Sequence, residues 1–197
     1  MSHMERLADL IRQNQGLIKT SQVEEAGIPR KYLSLMAQAG KLECLSQGIY
    51  LSPDAFEDRL YRLQQRCSSS IYSHETALFL NGLSDREPIV TMMTVQSGYN
   101  PHRLIDEPIK LFYIKRELHD LGETTMTTAF GREVRCYDRE RTLCDMVRSR
   151  SRMDQALTNA PYKFYLRSKE KNIPLMMRYS TKLGIQNFVR NYLEVLL

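Results

Sequence analysis

Apolar positions open the chain at a helical spacing. Leu7, Leu10 and Ile11 recur at i, i+3 and i+4, the buried stripe of an amphipathic helix, and Asn14-Gln15-Gly16 predicts its end. Leu17-Ile18 reads as a short apolar link. Thr20 or Ser21 is suited to cap a second, short helix, and Ser21 with Glu24 has the S-x-x-E spacing of a capping box. Val23 and Ala26 face inward there, and Gly27 permits a sharp turn. Pro29 fits the first position of a third helix, where its missing N–H is not needed. That helix is predicted to run to about residue 39, with Leu33, Met36 and Ala37 buried and Gly40 as its stop. Residues 42–45 and 49–51 then read as two short strands joined by Ser46-Gln47-Gly48. Two helices joined at a glycine turn and followed by a hairpin spell a winged helix-turn-helix over residues 4–52.

Ser52-Pro53-Asp54 breaks the pattern, and a second domain is expected over residues 53–197. It opens on a helix with Phe56, Leu60 and Leu63 on one face and Arg59, Arg62 and Arg66 on another. Ile71-Tyr72-Ser73 reads as a strand, residues 74–80 as a helix and Asn81-Gly82 as its break. Residues 90–95, 109–114 and 134–137 are β-branched or alternating and predict three more strands. Residues 141–148 return to a helix, with Leu143, Met146 and Val147 inward. From Met153 onward the chain reads as helical, using Phe164, Leu166, Leu175, Met176 and Leu183. A last helix packs Phe188, Val189, Tyr192, Leu193 and Leu196. The class is therefore α+β: a winged helix-turn-helix, then a mixed α/β domain with a helical C-terminal tail.

Composition narrows this picture. At 197 residues, 42% hydrophobic and 26% charged, the chain has the makings of one or two folded domains and not of a disordered polymer. No run of about 18 apolar residues predicts a membrane span. No basic segment followed by an apolar one predicts a signal peptide, so a cytoplasmic location is expected. Ser2-His3 ahead of Met4 has the look of a tag remnant, with Met4 as the expected native start. Cys44, Cys67, Cys136 and Cys144 include no C-x-x-C pair, which leaves four reduced thiols as the expectation.

The net charge of +5 is unevenly spread. Residues 1–52 carry six Lys/Arg and five Asp/Glu, a net of +1. Residues 132–190 carry fourteen and six, a net of +8. A polyanionic partner suits that balance, and the second half is the more basic part.

Catalytic patterns are missing from the sequence. His74-Glu75 is not followed by a second zincin histidine, no phosphate-binding glycine loop occurs, and His3, His74, His102 and His119 are scattered. Neither a Gly-Ser dipeptide nor D-x-D, which nucleotidyl transfer by two metals would use, is present. Glu140 and Asp145 are the one acidic pair of interest, and structure is the simpler role for both. No enzyme activity, metal or cofactor is expected.

The third helix carries the more informative chemistry. Lys31, Ser34, Gln38 and Lys41 are 3, 4 and 3 residues apart and share a side, with Arg30 at the helix start. Such a helix can enter the major groove of duplex DNA. Lys31, Ser34 and Gln38 are the candidates for base edges, and Lys19, Thr20, Arg30 and Lys41 for phosphates. Ser21 and the wing-turn Gln47 complete the predicted DNA-binding set. A solvated helix face is the plain alternative.

Three further motifs, in this order after a winged helix, carry a resemblance. They are Tyr72-Ser73-His74-Glu75-Thr76-Ala77-Leu78, Gly82-Leu83-Ser84-Asp85, and Tyr137-Asp138-Arg139-Glu140-Arg141-Thr142-Leu143-Cys144-Asp145. Together the chain resembles the AbiEi antitoxins of bacterial type IV toxin–antitoxin systems, named for abortive phage infection. The resemblance implies a repressor that binds inverted repeats in its own promoter, as a dimer or by cooperative loading. It implies a C-terminal domain that counteracts a nucleotidyltransferase toxin without a stable complex. It brings no catalytic residues. On the residues alone, Ser73-His74-Glu75 is expected to cap a helix and Glu140-Arg141 to form an internal ion pair. An antitoxin that works by direct contact with its toxin, and a plain repressor, remain open beside it.

Overall fold

A computed structural model describes residues 1–100, 108–153 and 156–196, with backbone only for 156–158 and 196. His102 and the Leu196 side chain lie outside that description. The chain forms two compact units, Met1–Arg62 and Leu63–Leu197.

The first unit runs α1 (His3–Gln13), β1 (Leu17–Lys19), α2 (Thr20–Glu25), α3 (Lys31–Gln38), β2 (Glu43–Ser46) and β3 (Ile49–Leu51). Its three strands pair antiparallel in the order β1-β3-β2. This is the winged helix-turn-helix that the pattern predicts. Leu7, Ile11, Ile18, Val23, Ile28, Leu33, Met36 and Leu42 form its core.

Ser2 caps α1 and His3 is its first residue. The Ser2 hydroxyl accepts from the Glu5 backbone N–H and the Glu5 carboxylate accepts from that of Ser2. Leu17-Ile18 is not a link but a strand. Leu17 packs with Ile49 and Leu51 on one face while Ile18 enters the helical core on the other, so both residues are apolar and alternation disappears. Neither Thr20 nor Ser21 caps α2. Strand β1 holds the chain extended through Lys19, whose N–H donates to the Gln22 side chain 2.9 Å away, and Thr20 and Ser21 lie inside the helix. Pro29 stands ahead of the Arg30 N-cap rather than in the first turn. The Gly16 backbone has φ +82, and a Cβ there would come within 2.3 Å of the Ala55 Cβ, so this turn requires glycine twice over.

Helix α4 (Arg59–Arg66) follows, and Leu63, at the start of the second unit, is buried with Cys67 and Val95. Phe56, predicted to share that face, precedes the helix and is 79% exposed. The order thereafter is β4 (Ile71–Tyr72), α5 (His74–Leu80), β5 (Thr91–Gln96), β6 (Ile109–Ile114), α6 (Arg116–His119), β7 (Glu123–Thr127) and β8 (Glu133–Tyr137). Then come α7 (Arg139–Arg148), a 3-10 turn (Arg150–Arg152), α8 (Ala156–Arg167), α9 (Ile173–Lys182) and α10 (Gln186–Leu196). Five strands make a mixed sheet in the order β6-β5-β4-β8-β7. The β4–β8 and β5–β6 pairs are parallel, and the β4–β5 and β7–β8 pairs antiparallel. Gln64 of α4 extends this pairing to a side chain. Its Oε1 accepts from the Arg135 N–H at 2.6 Å and its Nε2 donates to the Arg135 carbonyl at 2.8 Å.

Helix α7 is the axis of the second core. Every residue from Glu140 to Val147 is buried, and Leu143, Met146 and Val147 pack among Tyr162, Tyr165, Met176 and Val189. Phe164 is 60% exposed, against expectation. Phe188, also expected inside, is half exposed, and one ring face is covered by the Arg150 guanidinium 3.7 Å from its centroid.

Candidate nucleic-acid interface

Helix α3 is eight residues long and has no acidic side chain. Leu33 and Met36 bury one face, while Lys31, Ser34 and Gln38 are exposed on the opposite side. Lys41 lies past the helix, after the left-handed Gly40, and is exposed too. The Lys31 ammonium stands 5.3 Å from the Tyr32 ring centroid, a cation–π contact that leaves the charge at the surface.

The predicted residues fall into two groups. Along α3 lie Arg30, Lys31, Ser34, Gln38 and Lys41. At the base of the wing lie Lys19, Thr20, Ser21 and Gln47. The Thr20 N–H donates to the Gly48 carbonyl at 2.9 Å, which ties the hairpin turn to the start of α2 and sets the exposed Gln47 beside it. Gly48 takes φ +77, as the tight turn requires. Lys19 is half-buried, with its ammonium 5.4 Å from the Tyr61 ring centroid.

Arg30 has a partner that the spacing did not reveal. Its guanidinium forks onto Glu24, with Nη2 to Oε2 at 3.0 Å. The hydrogen bonds hold the Glu24 carboxyl below its usual value and raise Arg30. Its charge is balanced locally, so a phosphate would have to displace Glu24. Arg62 is likewise paired, with Glu57, and Arg59 and Arg66 are also engaged.

The motifs of the second unit serve its interior. Asp138 caps α7, accepting from the Arg141 N–H at 2.7 Å and from the Tyr179 hydroxyl at 2.9 Å. Glu140 does not pair with Arg141: successive helix residues point apart, and Glu140 accepts from the Tyr165 hydroxyl at 2.6 Å. Fully buried Arg141 instead meets Asp145 one turn on, at 3.0 Å, and donates to the carbonyls of Leu118 (3.0 Å) and Leu121 (2.5 Å). It also lies over the Tyr137 ring, 4.2 Å from the centroid. Arg148 reaches the other oxygen of Asp145 at 3.3 Å. The acidic pair Glu140 and Asp145 is thus committed to two separate structural contacts.

Ser73 does not cap α5 with its side chain. Its hydroxyl accepts from Thr94 at 2.9 Å and bonds His74 Nδ1 at 2.9 Å, while His74 Nε2 bonds the Ser149 hydroxyl at 2.9 Å. His74 itself is fully buried, takes the left-handed φ of 52° and stacks on Phe112 with ring centroids 3.5 Å apart. Burial chiefly, with the neighbouring cations Arg148, Arg141 and Lys110 adding to it and Asp145 opposing, lowers its pKa to about 3. The ring is therefore neutral at physiological pH. Burial also pushes the Cys136 and Cys144 thiols up, so neither supplies a thiolate. Among the described residues no three His, Cys, Asp or Glu side chains converge. Gly82, Leu83, Ser84 and Asp85 line an open cleft of about 340 Å³ with Glu75 and Phe164.

A winged helix-turn-helix with an acid-free, exposed second helix is an arrangement that DNA-binding regulators use. Residues 5–53 match the family described as "Transcriptional regulator, AbiEi antitoxin", which supports, over the first unit, the resemblance read from the sequence. A likeness of fold reaches beyond the first unit. The crystal structure of the RV2827C protein from Mycobacterium tuberculosis superposes with a TM-score of 0.61 at 13% identity, covering 91% of this chain and 71% of that one. At that identity the likeness concerns the fold alone. No curated protein matches the chain by sequence. Among the described residues, no helix is long and apolar enough to cross a membrane.

Proposed function

We propose that the protein is an autorepressing antitoxin of a type IV abortive-infection system. Helix α3 reads inverted repeats in its own promoter, two copies load as a dimer or cooperatively, and the operon is silenced. The second unit counteracts a nucleotidyltransferase toxin encoded alongside, in the cytoplasm and without a stable complex. One observation carries this reading: α3 presents Lys31, Ser34 and Gln38 to solvent on a face free of carboxylates and of any packing duty. Lys41 is the phosphate contact nearest to it, and Lys19, Thr20, Ser21 and Gln47 contact the backbone from the wing base.

Gel-shift titrations on the protein's promoter at several salt concentrations test it. Gln38→Ala is expected to cost about 1–3 kcal/mol of discrimination between the promoter and unrelated DNA. Lys41→Ala is expected to weaken binding to both and to lower the salt slope by about one. Unchanged binding in both variants would remove α3 from the interface.

The first unit's small net charge calls for further grip. In the second unit Lys110, Arg150 and Arg152 are gathered by a Lys110 Nζ to Arg152 carbonyl bond of 3.4 Å and by the α7 C-terminus, and no described carboxylate pairs with them. Alanine at all three is expected to lower the salt slope by about two to three without altering sequence preference. A slope equal to that of the wild type would place the missing charge in a second protomer.

A further inference from the structure

Helix α3 carries one large apolar side chain that its packing does not use. Leu35 is 47% exposed, while Leu33 and Met36 beside it are 2% and 6% exposed. At about 3.6 residues per turn, Leu35 lies one turn beyond Lys31 and just under one turn before Gln38. It therefore borders the strip that Lys31, Ser34 and Gln38 define, on the Lys31 side. A lone exposed leucine is ordinary on a protein surface. This one edges a polar, acid-free face and lies, along the helix axis, between the Lys31 ammonium and the hydrogen-bonding amide of Gln38.

We infer that Leu35 is a specificity-determining residue that packs on the 5-methyl group of a thymine in the major groove. The inference rests on the reading of α3 as the recognition helix and names what that helix prefers. Of the four bases, thymine alone offers an apolar group on its major-groove edge. Pressed against guanine, cytosine or adenine, Leu35 would strip water from donors and acceptors and return no hydrogen bond. Gln38 suits the N6 and N7 atoms of adenine. Three residues of helix advance about 4.5 Å, against a rise of about 3.4 Å per base pair. Leu35 and Gln38 thus address neighbouring pairs, and the site they select contains adjacent A·T pairs.

The test uses the full-length chain and the duplex it enriches from a randomised library. Each thymine of that duplex is replaced in turn by deoxyuridine, which deletes the methyl and nothing else. Wild-type affinity is expected to fall about fourfold at one thymine of each half-site, the worth of one buried methyl-sized group. Leu35→Ala is expected to bind the thymine and uracil duplexes equally, and Leu35→Met to keep the preference. Wild-type indifference to uracil at every position overturns the inference but leaves sequence-specific binding intact. Failure of the library to enrich any sequence overturns the parent reading as well. A Leu35→Ala variant that keeps the thymine preference but loses self-association in sedimentation also overturns it, by assigning Leu35 to contact between copies.

Discussion

Arg141→Met is expected to destabilise the protein by about 3–5 kcal/mol, read as a lower urea midpoint for unfolding at unchanged slope. The residue has no exposed surface, and its guanidinium is the hub of the second core. Its loss leaves the Leu118 and Leu121 carbonyls without their donor and removes one of the two cations that face Asp145. Methionine restores most of the volume but none of the hydrogen bonds, so the loss measures polar satisfaction more than packing. The double variant Arg141→Met with Asp145→Leu is expected to recover more than about 1 kcal/mol of it, because a buried charge is then no longer left behind. Arg148 has a quarter of its side chain exposed and can turn to water in that background. A double variant no better than the single one would show that shape, not charge, makes the site fragile.

Acid is expected to unfold the second unit through His74. The ring has an ordinary value of 6.5 in the open chain and about 3 when folded. Between those values the unfolded chain binds the additional proton, so stability is complete above 6.5 and lost progressively as the pH falls toward 3. From pH 7 to pH 4 the loss is roughly 3 kcal/mol at about 1.4 kcal/mol per unit. Asp138 works in the opposite sense. Its carboxyl is pushed up, chiefly by burial, so its contribution is present in acid and fades as the pH rises through its folded value. Asparagine tolerates the left-handed backbone and does not titrate, which makes His74→Asn the control. Urea titrations at the two pH values are expected to show a smaller acid loss in that variant. Equal losses would place the acid sensitivity on another group.

Those two sites mark where the amino-acid pattern was and was not readable. The spans of α5 and β6 were legible because Asn81-Gly82 ends the first sharply and the second is a dense apolar run. Strand β1 was hidden because both of its faces are covered. Strand β7 was hidden for the contrary reason: its Glu-Thr-Thr-Met-Thr lies at a sheet edge and offers one apolar residue. Phe56, Phe164 and Phe188 look like core residues, yet residue type alone does not say which aromatic stays outside. Sequence adjacency suggested Glu140 with Arg141, whereas the real partner of Arg141 lies at i+4, the helical neighbour. On α3 the polar residues stood out at their spacing. Leu35 did not, because an apolar residue on a helix reads as core until its exposure is known.

The division of labour on α3 bears on how such proteins diverge. Leu33 and Met36 anchor the helix, and Lys31, Ser34, Leu35 and Gln38 take no part in that anchoring. Exchanges at these four positions are therefore nearly free of a folding penalty. Under the proposed repressor function, duplicated operons in one genome can drift apart in operator preference and become insulated from each other, while the domain that presents the helix stays the same.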